Sequence, residues 1–141
     1  MSGYIFFYYN GPISWGSNKQ TYTVTLLTME SEYMALTEAT KEAKFLHKLL
    51  SSLDMPQTQP TLILMDSESA LKHIKNNVRH SRTKHIDTRH HFIRFAYESG
   101  DVDIHHVPSA SQTADILTKP LSTVKHIDVV KLLQLHDSRC I

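Results

Sequence analysis

Cysteine is nearly absent from this sequence. The single Cys140, one residue from the end, can close neither an internal disulfide nor a zinc cluster by itself, so a reducing, intracellular setting is expected, cytoplasmic or nuclear. Long apolar runs are missing too. The longest, Tyr4 to Tyr9, falls far short of the roughly 20 residues of a spanning helix and short of a signal-peptide core of about 7–15. Neither a membrane partner nor a secretion signal is expected. Glycine (4) and proline (5) are sparse, and no internal repeat or low-complexity segment appears. An excess of one charge is also lacking: 15 Lys and Arg against 14 Asp and Glu leave +1, so net charge alone argues for no polyanion partner. What remains is 141 residues at 40% hydrophobic and 21% charged, the profile of one globular domain rather than of disorder or of a membrane protein.

The distribution of charge carries more than its sum. Between Lys72 and Arg94 seven basic residues face one acid, Asp87, for a local +6, and five of the ten histidines lie there. Between Leu26 and Glu68 the balance is −4. Two readings stand side by side: solvated helix faces of opposite sign, or a phosphate-binding track beside a carboxylate cluster.

Residues 3–9 are aromatic and β-branched and are followed by Asn10-Gly11, a hairpin-turn dipeptide, and by the alternating Ile13-Ser14-Trp15. Trp15 reads as a sheet-face packing residue. Residues 21–26 (TYTVTL) predict a third strand. Residues 29–53 hold no Gly or Pro and predict a long helix, capped by Thr28 and stopped before Pro56. Residues 61–65 (TLILM) suit a fully buried parallel strand, followed by a short helix through Lys75. Ile86, His90, Ile93 and Tyr97 mark a helical stripe ending near Gly100. Residues 102–107 predict a strand, 111–119 a short helix stopped by Pro120, and 122–136 an amphipathic helix. The order implies an α/β fold, a mixed sheet with helices on its faces.

Three acids stand out. At 100° per residue Glu32 lies in line with Leu36, Ala39, Ala43, Leu46, Leu50 and Leu53, the core-facing stripe of the long helix, whereas Glu30, Glu38 and Glu42 point elsewhere. A Glu there is paired, metal-bound, or emerging at the edge of the core. Asp66 ends the buried strand, where α/β sheets place ligands; capping of the next helix is the competing role. Asp115 sits in the short helix before Pro120. Carboxylates converging from separate elements are what hard cations such as Mg²⁺ require, and two such ions activate a water and stabilise a leaving oxygen in phosphodiester hydrolysis.

At these residues the chain resembles the ribonuclease H domain at the C-terminal end of the Pol polyprotein of copia-type LTR retrotransposons. The supporting segments are SGYIFFYYNGPISWGSNKQ (2–20), TMESEYMALTEATKEAKFLHKLL (28–50), LILMDSESAL (62–71), HSRTKHIDTRHHFIRF (80–95) and HVPSASQTADILTKPL (106–121), in the family's order and covering nearly the whole chain. The resemblance implies a ribonuclease H-like fold and Mg²⁺-dependent hydrolysis of the RNA strand of an RNA·DNA hybrid, beside the upstream reverse transcriptase region of the same polyprotein.

Three of the family's four acids map onto Glu32 in ESEY, Asp66 in MDSESA and Asp115 in QTAD, as catalytic metal ligands. The first acid belongs to a central strand that precedes the GYIFF segment, and the chain begins after that point. It is therefore expected to be truncated at its N-terminus and to lack that strand, with two-ion catalysis impaired unless another segment supplies the carboxylate. Ser67-Glu68 replaces the usual Asn-Gln after Asp66, which adds a negative charge. Phosphate contact is expected from Arg82, Lys84 and Arg89. Histidines 85, 90 and 91 lack zinc-ligand spacing, and the spacing does not choose between His105 and His106 as a proton shuttle. The alternative function is a catalytically inactive retroelement fragment with at most weak nucleic-acid binding.

Overall fold

The computed structural model describes residues 1–19, 28–76 and 84–135, with the backbone alone for 28–30 and 84–87. The expected TYTVTL strand and Arg82 lie outside the described residues, as do the side chains of Thr28 and Lys84. The described residues form a mixed α/β structure with two two-stranded sheets and four α-helices, grouped into two compact units. No described helix is long and apolar enough to cross a membrane.

One unit comprises Met1–Gln20 with Ala110–Ile141. In it β1 (Ser2–Tyr8) pairs antiparallel with β2 (Gly11–Asn18), with an irregularity between Phe6 and Phe7. The turn falls on Tyr9-Asn10 rather than on the expected Asn10-Gly11. Both residues have positive φ (46° and 66°), and Tyr8 pairs with Gly11. Two-residue hairpins favour this left-handed pair because its twist matches that of the strands.

A residue with a Cβ bears a steric cost there of about 1–2 kcal/mol, part of which asparagine offsets through local hydrogen bonds of its short amide side chain. Tyr9 is 89% exposed, and its edge contact with the Tyr8 ring offsets part of that cost. Tyr9→Asn should therefore raise stability by about 0.5–1 kcal/mol in urea unfolding. Trp15, opposite Ile5 on the hairpin, is 63% exposed instead of packed. The neighbouring Phe6 points to the other face of the two-stranded ribbon and is buried.

Gly3 lets β1 approach a 3₁₀ helix, Thr113–Leu117, because a Cβ there would lie 2.8 Å from the Thr118 methyl. The Ser17 hydroxyl donates to the Leu117 carbonyl across the same contact (2.7 Å). The short helix expected over 111–119 is thus two 3₁₀ segments, Ser109–Ser111 and Thr113–Leu117, and α4 (Thr123–Leu132) follows Pro120 with Ser122 as its N-cap.

The other unit is Thr21–Ser109. α1 (Thr28–Ser52) buries Leu36, Ala39, Ala43 and Leu46, as the stripe predicts. Leu53 lies past the helix end and is 58% exposed, so the stripe stops short of it. Thr37 and Thr40 are also buried, and their hydroxyls donate to the Tyr33 and Leu36 carbonyls one turn back, which satisfies both.

β3 (Thr61–Met65) and β4 (Val102–His106) pair in parallel, Ile63 opposite Ile104. α2 (Glu68–Lys75) and α3 (Lys84–Glu98) contact β4, and α1 packs on α3. The core is the face carrying Ile63, Met65, Val102 and Ile104, together with Ala70, Ile74, Ile93 and Ala96. β3 is not buried on both faces as expected: Leu62 and Leu64 are 55% and 48% exposed, because alternate side chains of a strand leave opposite faces and the helices cover one. Gly100, φ 77°, ends α3 in the left-handed conformation, and the amide of Asp101 donates to the Ala96 carbonyl (3.0 Å).

Candidate functional site

The C-terminal end of β3 gathers most of the polar groups of interest. Asp66 is the first residue beyond the strand and is exposed. Ser67, not Asp66, caps α2: its φ/ψ of −94°/99° is extended, and its hydroxyl oxygen accepts the Ala70 N–H (3.3 Å). The capping alternative for Asp66 is therefore removed.

Asp66 Oδ2 instead accepts the Ser109 hydroxyl (3.2 Å), which arrives just after β4. Glu32, half-buried on the first turns of α1, reaches the same place, where its Oε2 accepts the Ser67 hydroxyl. Two of the three singled-out acids are thus each held by a serine from another element at this strand end, Glu32 by Ser67 and Asp66 by Ser109. Glu32 is neither deep in the core nor free; it emerges at the core's edge and is paired there.

The neighbours define the electrostatics. Tyr33, 3% exposed, packs edge-on to the His90 ring, and burial followed by the Glu32 charge pushes its phenol pKa up to about 12, so it stays neutral and anchors α1. Glu68, the extra acid beside Asp66, is ion-paired with Lys72 one turn on (2.8 Å); the Lys72 hydrogen bond holds its pKa below the usual value. Its charge is thus partly balanced before it reaches the pair. His105 is bound by Asp103 (2.9 Å), and His106 lies opposite Met65, one residue from Asp66. Of the basic residues, Arg89 is half-buried in α3, and Arg94 is tied to Glu98 (2.7 Å).

Asp115 belongs to the other unit and has a different environment. It is 7% exposed, and its Oδ2 is bonded by Lys125 of α4 (2.7 Å) and Lys119 (3.0 Å). Burial pushes its pKa up, but the hydrogen bonds of Lys125 and Lys119 outweigh it and hold the carboxyl below its ordinary value. A carboxyl with a native pKa below the unfolded value of about 3.9 contributes stability that is complete above that pH and lost as pH falls through the native pKa. Asp115→Asn should flatten the acid limb of the stability curve below about pH 4, as read by urea midpoints across pH.

Within either unit, among the described residues, no group of three His, Cys, Asp or Glu is placed to hold a metal ion. The Glu32 and Asp66 pair still fits a hard cation by donor type, since Mg²⁺ keeps several waters and binds through one or two carboxylates. Sequence reasoning missed Ser67, Ser109 and Lys125. Only Ser67 carried a signal, a serine directly before a run of helix formers.

No family model matches the chain, and no solved structure matches it. It is 40% identical over 121 residues to the retrovirus-related Pol polyprotein from transposon RE1 of Arabidopsis thaliana, a match covering 86% of this chain and 8% of that protein. To the retrovirus-related Pol polyprotein from transposon TNT 1-94 of Nicotiana tabacum it is 36% identical over 137 residues, covering 97% and 10%. To that from transposon RE2 of Arabidopsis thaliana it is 40% identical over 123 residues, covering 87% and 8%. The chain spans a tenth or less of the length of these relatives. Its homologues, matched over most of its length, are thus retrovirus-related Pol polyproteins of plant transposons.

Proposed function

We propose that the chain is the ribonuclease H part of a retroelement Pol polyprotein and that it serves hydrolysis of the RNA strand in RNA·DNA hybrids. The observation that supports this reading is that the C-terminal end of β3 carries Asp66 and, next to it in the chain, the serine that binds Glu32, the two residues of the MDSESA and ESEY segments onto which the resemblance maps family acids. The resemblance assigns Asp115 as a third ligand; within its own unit that carboxylate is held by Lys119 and Lys125.

Divalent ions held by these carboxylates would supply the charge that activates a water and stabilises the leaving oxygen. The chain's own residues do the rest. Lys72 offsets Glu68, and Arg89 with Arg82 and Lys84 binds the phosphate backbone of the hybrid.

A second reading is favoured by one observation: within either unit, among the described residues, no group of three His, Cys, Asp or Glu is placed to hold a metal ion. Under it the chain binds hybrid without cutting it. Cleavage of labelled hybrid in Mg²⁺ against EDTA separates the two. The proposal expects RNA-strand products with Mg²⁺ only; hybrid bound and left intact in both buffers selects the second reading.

A further inference from the structure

The Ser67 hydroxyl has one proton and two lone pairs, and the structure accounts for all three. One lone pair accepts the Ala70 N–H (3.3 Å) as the N-cap of α2. Ser69 Oγ lies 3.2 Å away. Glu32 Oε2, a carboxylate oxygen that can only accept when ionised, takes the proton. Ser69 must then be the donor to Ser67.

With every valence engaged and the residue 8% exposed, the hydroxyl cannot rotate away without leaving a buried group unpaired. The cap geometry of α2 thereby sets where the Glu32 carboxylate of α1 sits, at the residue that follows Asp66 in the chain.

We infer that Ser67 is a positioning residue that couples the N-cap of α2 to the carboxylate of Glu32, fixing the carboxylate that the proposed function assigns to a divalent cation. The inference rests on the carboxylate-site reading above. It adds a role for a residue whose nearest rival explanation is helix capping alone.

Capping and positioning come apart chemically. Glycine at an N-cap costs only a few tenths of a kcal/mol relative to serine, whereas alanine costs about 1. Ser67→Gly therefore spares the helix and removes the donor, Ser67→Ala removes both, and Ser67→Thr keeps both. Partners that orient a metal's direct ligands are worth about 10- to 100-fold in affinity. Calorimetric Mg²⁺ titration of the full chain should thus show binding weakened by about tenfold in Ser67→Gly and Ser67→Ala and restored in Ser67→Thr.

A double-mutant cycle between Ser67→Gly and Glu32→Gln in Mg²⁺-free buffer reads the bond itself. The effects on the unfolding equilibrium constant should be non-additive by about fivefold or more, as expected of a charge-assisted hydrogen bond. Mg²⁺ binding that is sensitive to Glu32→Gln but unchanged in Ser67→Gly, or an additive cycle, overturns the positioning role while leaving the site reading intact. Wild-type chain that binds no Mg²⁺ overturns the site reading and, with it, the assignment of Glu32 to a cation.

Discussion

Asp66→Asn should lower the rate of Mg²⁺-dependent hybrid cleavage by about a hundredfold or more while leaving the unfolding midpoint within about 0.5 kcal/mol of wild type. The substitution is chosen for what it preserves. Asn matches the shape of Asp, and its amide oxygen still accepts the Ser109 hydroxyl, so the end of β3 keeps its local bonds. What it loses is the charge, and a hard cation is held more weakly by a neutral amide oxygen than by a carboxylate. Even groups that merely orient a ligand are worth about 10- to 100-fold, so removing a direct ligand should reach at least the upper end of that range. Single-turnover cleavage of end-labelled hybrid, with urea unfolding of the same preparation, checks both halves. A large loss of rate accompanied by a large loss of stability would mean that Asp66 holds the fold rather than an ion.

The second large effect is on folding. Ile104→Ala should destabilise the chain by about 2–5 kcal/mol, a substantial part of a total that for domains is about 5–15. Ile104 is fully buried in β4, opposite Ile63, on the sheet face that the helices cover. Truncation there loses the transfer free energy of the side chain and leaves a cavity that a rigid strand pair cannot close. Leu62→Ala is the internal control. Leu62 is in the adjacent strand of the same sheet but 55% exposed, and its loss should cost below about 1 kcal/mol. Equal effects from the two substitutions would show that the second face of the sheet is covered in solution.

The contrast between those residues marks how far the sequence could be read. TLILM is apolar at every position, so periodicity cannot distinguish a strand buried on two faces from one buried on one. α1 was legible because straight-chain residues without Gly or Pro leave only the helix, and the spacing of its apolar positions then singles out Leu36, Ala39, Ala43 and Leu46. The hairpin was legible, but its turn was misplaced by one residue. Dipeptide preference pointed to Asn10-Gly11, whereas the register closes on Tyr8 and Gly11 around Tyr9-Asn10.

At the candidate site, type and position singled out Glu32 and Asp66, since a carboxylate on an apolar stripe and one at a strand end both call for a partner. The partners themselves were beyond reach. Ser67 meets Glu32 from 35 positions away in the sequence, and Ser109 meets Asp66 from 43, so only the folded chain brings them together. Lys125 was hidden for a related reason: Pro120 separates it from Asp115, and the turn that folds α4 back has no signature in charge or spacing.

The central claim is that Glu32 and Asp66 share a divalent cation. Replacing Mg²⁺ by paramagnetic Mn²⁺ and following backbone amide signals by NMR tests it most directly. At low Mn²⁺ the amides of Asp66 and Ser67 and those of α1 around Glu32 should broaden first, and Glu32→Gln should suppress that broadening. Broadening centred on other carboxylates, or broadening at Asp66 that Glu32→Gln leaves unchanged, would contradict the claim.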